Sequence, residues 1–98
     1  MRVNKSLYQF EWDSGNIGKN KKHGVGDWEC EEVFFDRNKV TLKDALHSNN
    51  ETRYITLGKT KHERLLYLIY TARGGRVRII SARDCKKQKE RDLYEKAT

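Results

Sequence analysis

The sequence predicts an α+β fold. Helix signals gather before residue 36 and after residue 84, and four strand-like runs follow one another between them. Arg73-Gly74-Gly75 joins two of those runs with a Gly-Gly hairpin signal, so the strands should pair as an antiparallel meander. The expected architecture is a small antiparallel β-sheet packed by two N-terminal helices and a C-terminal helix, in one domain spanning residues 1–98. With 98 residues there is one modest core, because a chain this short buries only about 60–65% of its unfolded surface.

The first strand candidate is Leu7 to Trp12, where Tyr8, Phe10 and Trp12 alternate with Gln9 and Glu11. Asp13 or Ser14 can cap a helix running to Gly24, although Gly15 and Gly18 weaken it. Asp27 to Phe35 reads as a second helix. Asp27 is its expected N-cap, and Glu29, Glu31 and Glu32 lie where the helix dipole favours anions. Val40 to Leu42 is a short strand, and Arg53 to Gly58 alternates cleanly. Leu65 to Ala72 is apolar on both faces and should be central. Arg76 to Arg83 is its hairpin partner. Asp84 to Lys96 closes the chain as a helix with Leu93 and Tyr94 on one side. Helices on one face would leave the other face of the sheet for a ligand.

The charge is lopsided. Residues 1–50 carry 8 basic and 8 acidic side chains, and residues 51–98 carry 13 and 6, so the whole net charge of +7 lies in the second half. Such a balance points to a polyanionic partner. No apolar run approaches the roughly 18 residues of a membrane span, and the N-terminus leads into no apolar signal core. Cys30 and Cys85 stand alone, with no Cys-x-x-Cys, so neither a disulfide framework nor a zinc site is expected. A reducing, cytoplasmic setting is the simplest expectation. Metal-ligand spacing, a P-loop and a dinucleotide fingerprint are all missing, so no cofactor is expected.

The chemistry must come from cations and proton carriers. Arg53, Arg64, Arg73, Arg76, Arg78 and Arg83 lie on or beside the expected strands. A guanidinium binds phosphate oxygens with two parallel hydrogen bonds and stays charged at working pH. Alternation puts Arg76 and Arg78 on one face and Arg83 on the other, and a bulge would be needed to bring Arg83 round. A merely solvated, charged strand face is the plainer reading of the same pattern. Cleaving RNA also needs a base for the 2′-hydroxyl, an acid for the leaving oxygen and fixed cations for the phosphorane. The candidates for proton transfer are His23, His47, His62, Glu51 and Glu11. A lone histidine is more often a surface residue, above all His62 in its polar, hairpin-like stretch. Most of the aromatic residues should be core.

Several motifs carry a resemblance. Phe10-Glu11-Trp12-Asp13 is followed by Lys22-His23-Gly24-Val25 and Glu29-Cys30-Glu31-Glu32-Val33-Phe34-Phe35. Then come Glu51-x-Arg53-Tyr54-Ile55, Gly58, Arg64-Leu65-Leu66, Tyr70-Thr71-x-Arg73 and Val77-Arg78-Ile79-Ile80-Ser81-Ala82-Arg83, with Glu90 and Tyr94 at the end. From about residue 8 to residue 95 the chain resembles the BrnT family of type II toxin–antitoxin toxins. The resemblance implies a RelE-like α+β fold, endoribonuclease activity that halts translation in a bacterium, and a cognate antitoxin of the BrnA type. Such an antitoxin carries a ribbon-helix-helix region, so operator DNA would be met only through it. The resemblance puts Lys22 and His23 in the catalytic position and makes Arg53, Arg78 and Arg83 the phosphate-binding set. Glu51 and His47 come second.

Two positions depart from the family pattern. The stretch from Trp12 to His23 is one residue shorter, which would turn a helix there by about 100°. Glu63 stands where a glycine is common. These departures motivate an alternative expectation, a catalytically weak or inactive module that binds RNA or the antitoxin.

Overall fold

The computed structural model describes residues 8–44 and 51–96; Leu7, the first residue of the first strand candidate, lies outside them. Five strands form one sheet: β1 (Gln9–Phe10), β2 (Val40–Asp44), β3 (Arg53–Lys59), β4 (Leu65–Arg73) and β5 (Arg76–Asp84). Their spatial order is β1-β5-β4-β3-β2. The α-helices are α1 (Asp27–Val33) and α2 (Gln88–Lys96), and a 3-10 turn covers Lys19–His23.

The meander is as the sequence predicts. β2, β3, β4 and β5 pair antiparallel in sequence order. Gly74 and Gly75 close the β4–β5 hairpin with φ of 54° and 79°, the two positive values that a type I′ turn requires.

Two expectations are corrected. The sheet is mixed, not antiparallel, because β1 runs parallel to β5 through Gln9↔Arg76 and Phe10↔Val77. β1 covers the edge of β5 that β4 leaves open. The Glu11 N–H donates to the Val77 carbonyl at 2.8 Å and extends that pairing.

The second correction concerns the helices. Residues 13–24 form no α-helix, so a single N-terminal α-helix packs on the sheet rather than two. Asp13 starts one turn, its carbonyl accepting the Ile17 N–H at 2.8 Å. Gly18 then adopts φ 65° and ends the turn, a conformation open to glycine at little cost. The 3-10 turn follows and stops at Gly24, φ 70°, whose N–H reaches the Asn20 and Lys21 carbonyls. Gly24 therefore terminates this segment as the sequence suggested.

Element boundaries shift modestly. Gly26, not Asp27, caps α1, and the Glu29 carboxylate accepts the Gly26 N–H at 3.0 Å. Asp84 ends β5 instead of opening α2.

Both faces of the sheet are packed, so the helices do not leave one face bare. On the first face α1 lies over β3 and β4, and Val25, Cys30, Val33, Phe34, Leu66, Leu68, Ile79 and Ala82 form the main core. Gly58 lets α1 settle, because a Cβ there would stand 2.7 Å from the Val33 side chain. Tyr8, Phe10, Phe34 and Tyr70 pack ring against ring on this side, Phe34 buried and the others half-buried against the core. On the second face α2 brings Tyr94 against Leu57, Leu65 and Cys85. Cys30 and Cys85 are free and buried. Burial pushes their thiols up to about 12 and about 11, which makes both inert near neutrality. Among the described residues, no helix is long and apolar enough to cross a membrane.

Candidate functional site

The second face carries the arginines, and a bulge sorts them. Thr71 pairs with Arg78 and Tyr70 with Ile79, yet Ile69 pairs with Ser81, so Ile80 is an extra residue in the β5 ladder. The extra residue reverses the parity of everything beyond it. Directly paired residues share a face, so Arg78 beside Thr71 and Arg83 beside Tyr67 point the same way. Arg53 joins them, since it too pairs with Thr71. Thr71 thus lies in one ladder between Arg53 and Arg78. Two strand spacings put the Cα atoms of these two arginines about 10 Å apart. Arg83 is displaced along the strands by the four residues from Thr71 to Tyr67, about 13 Å. The trio resolves into a flanking pair and a separate third cation.

Carboxylates hold Arg73, Arg78 and Arg83 in place. Arg78 Nη1 donates to Asp13 Oδ2 at 2.7 Å and to Glu11 Oε1 at 3.3 Å. Arg73 grips Glu51 with two hydrogen bonds, Nη2 to Oε1 being 2.7 Å, and lies 3.9 Å from Glu11. Arg83 forks onto Glu90 of α2 at 3.0 and 2.8 Å and stacks on the Tyr67 ring, 4.0 Å from its centroid. Three of these carboxylates are shifted. The Arg73 hydrogen bond holds Glu51 below the usual carboxylate range, aided by the charges of Arg73, Arg78 and Arg53. Arg78 does the same to Asp13, and Arg83 to Glu90. Glu51 is therefore a charged member of the arginine cluster, held as a carboxylate.

Arg64 is different. It donates to both Asp84 oxygens at 2.7 and 3.0 Å, to Glu29 at 3.1 Å and to the Gly24 carbonyl at 2.8 Å. It ties β4, β5, α1 and the 3-10 turn together and is a structural strut.

Lys22 and His23 are exposed at the end of the 3-10 turn. Two buried asparagines place this segment along β5. Asn16 Nδ2 donates to the Ile79 carbonyl at 3.2 Å and to the Glu11 carbonyl at 2.9 Å. Asn20 Oδ1 accepts the Ala82 N–H at 3.0 Å. Side-chain amides thus complete the β5 edge on either side of the bulge, where β1 no longer reaches. The shortened stretch before His23 is not one continuous helix, so the 100° phase argument has no helix to act on. The asparagine anchors fix its position instead.

Of the remaining candidates, His62 is exposed in the β3–β4 turn, away from the arginine ladder. His47 lies outside the described residues. Glu11 serves the site as a partner of Arg78 and Arg73. Sequence reasoning missed Asp13 as an arginine partner and Thr71 as the centre of the ladder. It also missed Asn16 and Asn20, whose four-residue spacing inside a glycine-rich stretch was the available signal. Glu90 reaches back from α2 to Arg83 of β5.

Among the described residues, no group of three or more His, Cys, Asp and Glu side chains is arranged to hold a metal ion. The structure offers a sheet face on which guanidinium groups are held by carboxylates, one of them also stacked on an aromatic ring. Residues 12–89 match a family model described as ribonuclease toxin, BrnT, of type II toxin-antitoxin system. No curated protein matches the chain.

Proposed function

The chain belongs to the BrnT family of ribonuclease toxins of type II toxin–antitoxin systems, and on that basis we propose a metal-independent endoribonuclease that stops translation. Its partners are an RNA substrate and an antitoxin, which we take to be of the BrnA, ribbon-helix-helix type. Operator DNA is met only through that antitoxin, and the toxin acts in the cytoplasm.

One observation carries this reading: Arg53, Arg78 and Arg83 share one face because Ile80 bulges from β5. Arg53 and Arg78 receive the scissile phosphate, Arg78 exchanging carboxylate oxygens for phosphate oxygens, and stabilise the charge of the phosphorane. Arg83 holds the strand further along, beside the Tyr67 ring. Lys22 adds positive charge from the 3-10 turn, and His23 moves protons between the 2′-hydroxyl and the leaving oxygen. Glu51 keeps Arg73 in position and, as an ionised carboxylate, is a second proton acceptor.

The test is expression in a bacterium with and without the neighbouring antitoxin. Growth should stop with the chain alone and resume when the antitoxin is supplied. Undisturbed growth with abundant folded protein contradicts the reading. It would favour a second one, a non-catalytic module that binds RNA or the antitoxin. The observation behind that alternative is that Arg73, Arg78 and Arg83 are already engaged by carboxylates.

A further inference from the structure

Thr71 is 2% exposed, and among the described residues its Oγ1 is the buried side-chain polar atom left without a hydrogen-bond partner. A buried hydroxyl in that state is costly, and native proteins keep few of them. Its place is notable, because Thr71 pairs with Arg53 on one side and with Arg78 on the other. A guanidinium only donates hydrogen bonds, so neither arginine can accept the hydroxyl proton. The hydroxyl proton lacks an acceptor, and an anion drawn to the flanking guanidinium groups would supply one. We propose that the Thr71 hydroxyl donates to a non-bridging oxygen of an RNA phosphodiester held between Arg53 and Arg78.

This inference rests on the proposed ribonuclease reading and adds a neutral donor to its cationic clamp. Such a donor adds direction without adding charge. The two guanidinium forks bind phosphate oxygens in their own planes, and a hydroxyl fixed on the central strand adds a further direction that selects among those oxygens. Valine at this position keeps the β-branched shape and removes only the donor, and serine keeps the donor.

The experiment uses the full chain and two oligonucleotides of one sequence, an RNA and a strand lacking every 2′-hydroxyl, which cannot be cleaved by attack of that group. Thr71→Val should bind the uncleavable strand on the order of tenfold or more weakly, the loss of one hydrogen bond to a charged group. Its kcat/KM on the RNA should fall at least as far, and Thr71→Ser should keep most of both. The Tm of Thr71→Val should not drop, because the hydroxyl makes no bond in the unbound chain. Wild-type binding by Thr71→Val overturns the proposal, and so does a fall in Tm with no rescue by serine. A wild-type chain that binds the uncleavable strand and leaves the RNA intact contradicts the ribonuclease reading, while the Thr71 comparison is still read from binding.

Discussion

Arg78 and Arg83 lie on the same face of the sheet although five positions separate them. A regular strand would send them to opposite faces. The extra residue Ile80 makes the difference, and it sits where β5 passes from the cover of β1 to that of Asn16 and Asn20. Bulges commonly re-aim a side chain beside a functional site. Here the bulge turns a charged strand into a one-sided cationic surface.

Arg78→Ala should weaken RNA binding and flatten its salt dependence. Each phosphate contact on a single strand contributes about 0.7 to the slope of log K against log salt. A titration across salt concentrations should show that slope falling by about this amount. An unchanged slope means that Arg78 contacts no phosphate.

Glu90→Gln separates the two tasks of Arg83. The glutamate locks Arg83 to α2 with two charged hydrogen bonds. Its removal should cost about 1 kcal/mol of stability or less, as partly exposed ion pairs do. RNA affinity should rise, because phosphate no longer competes with a carboxylate. Thermal melts and binding on the same variant check both halves, and an unchanged affinity assigns Arg83 a purely structural role.

The stability of the chain should fall in acid. Burial is the largest influence on Asp36 and pushes its carboxyl up. Hydrogen bonds from the Tyr94 hydroxyl and from the Lys59 and Asn38 N–H groups together outweigh it, and the carboxyl is net lowered from 3.8. A lowered folded pKa means that the unfolded chain takes up the proton first. The contribution of Asp36 is therefore complete above the ordinary carboxylate range and is lost as pH falls through the depressed folded value. Denaturation followed against pH should show this decline, and Asp36→Asn should flatten part of it while lowering stability at neutral pH.

Glu63→Gly should stabilise the chain. Glu63 holds φ 64° in the β3–β4 turn, where Thr60 Oγ1 accepts the His62 and Arg64 N–H groups. A non-glycine residue in that region is strained, and glycine relieves the strain at some cost in unfolded-state entropy. The net gain should be about 1 kcal/mol or less, visible as a raised Tm. A lowered Tm would mean that the Glu63 side chain supports the turn.

Much of this architecture was legible in the sequence because local rules governed it. The alternation of Arg53 to Gly58, the apolar run of Leu65 to Ala72 and the paired glycines at 74 and 75 fixed the meander. The need for a bulge followed from the parity of Arg78 and Arg83. The N-terminal segment resisted because long-range contacts decide it. A two-residue strand parallel to β5 leaves no periodic signature. The asparagines at 16 and 20 do their work against backbone more than sixty residues away. The family pattern marked Glu63 as a departure, and its positive φ supplies the physical reason for a glycine there. The ion pairs of the site were hidden for the same reason as β1. Asp13 and Glu11 meet Arg78 only after the chain has crossed the whole sheet.

The most direct measurement is cleavage of RNA by the purified chain in the presence of a chelator, with Arg78→Ala, Arg83→Ala and His23→Ala alongside. The wild type should cut, and each variant should lose most of its kcat/KM while keeping the Tm within a few degrees. Equal cutting by all three variants would contradict the assignment of this face, and an intact substrate with wild-type protein would contradict the enzyme itself.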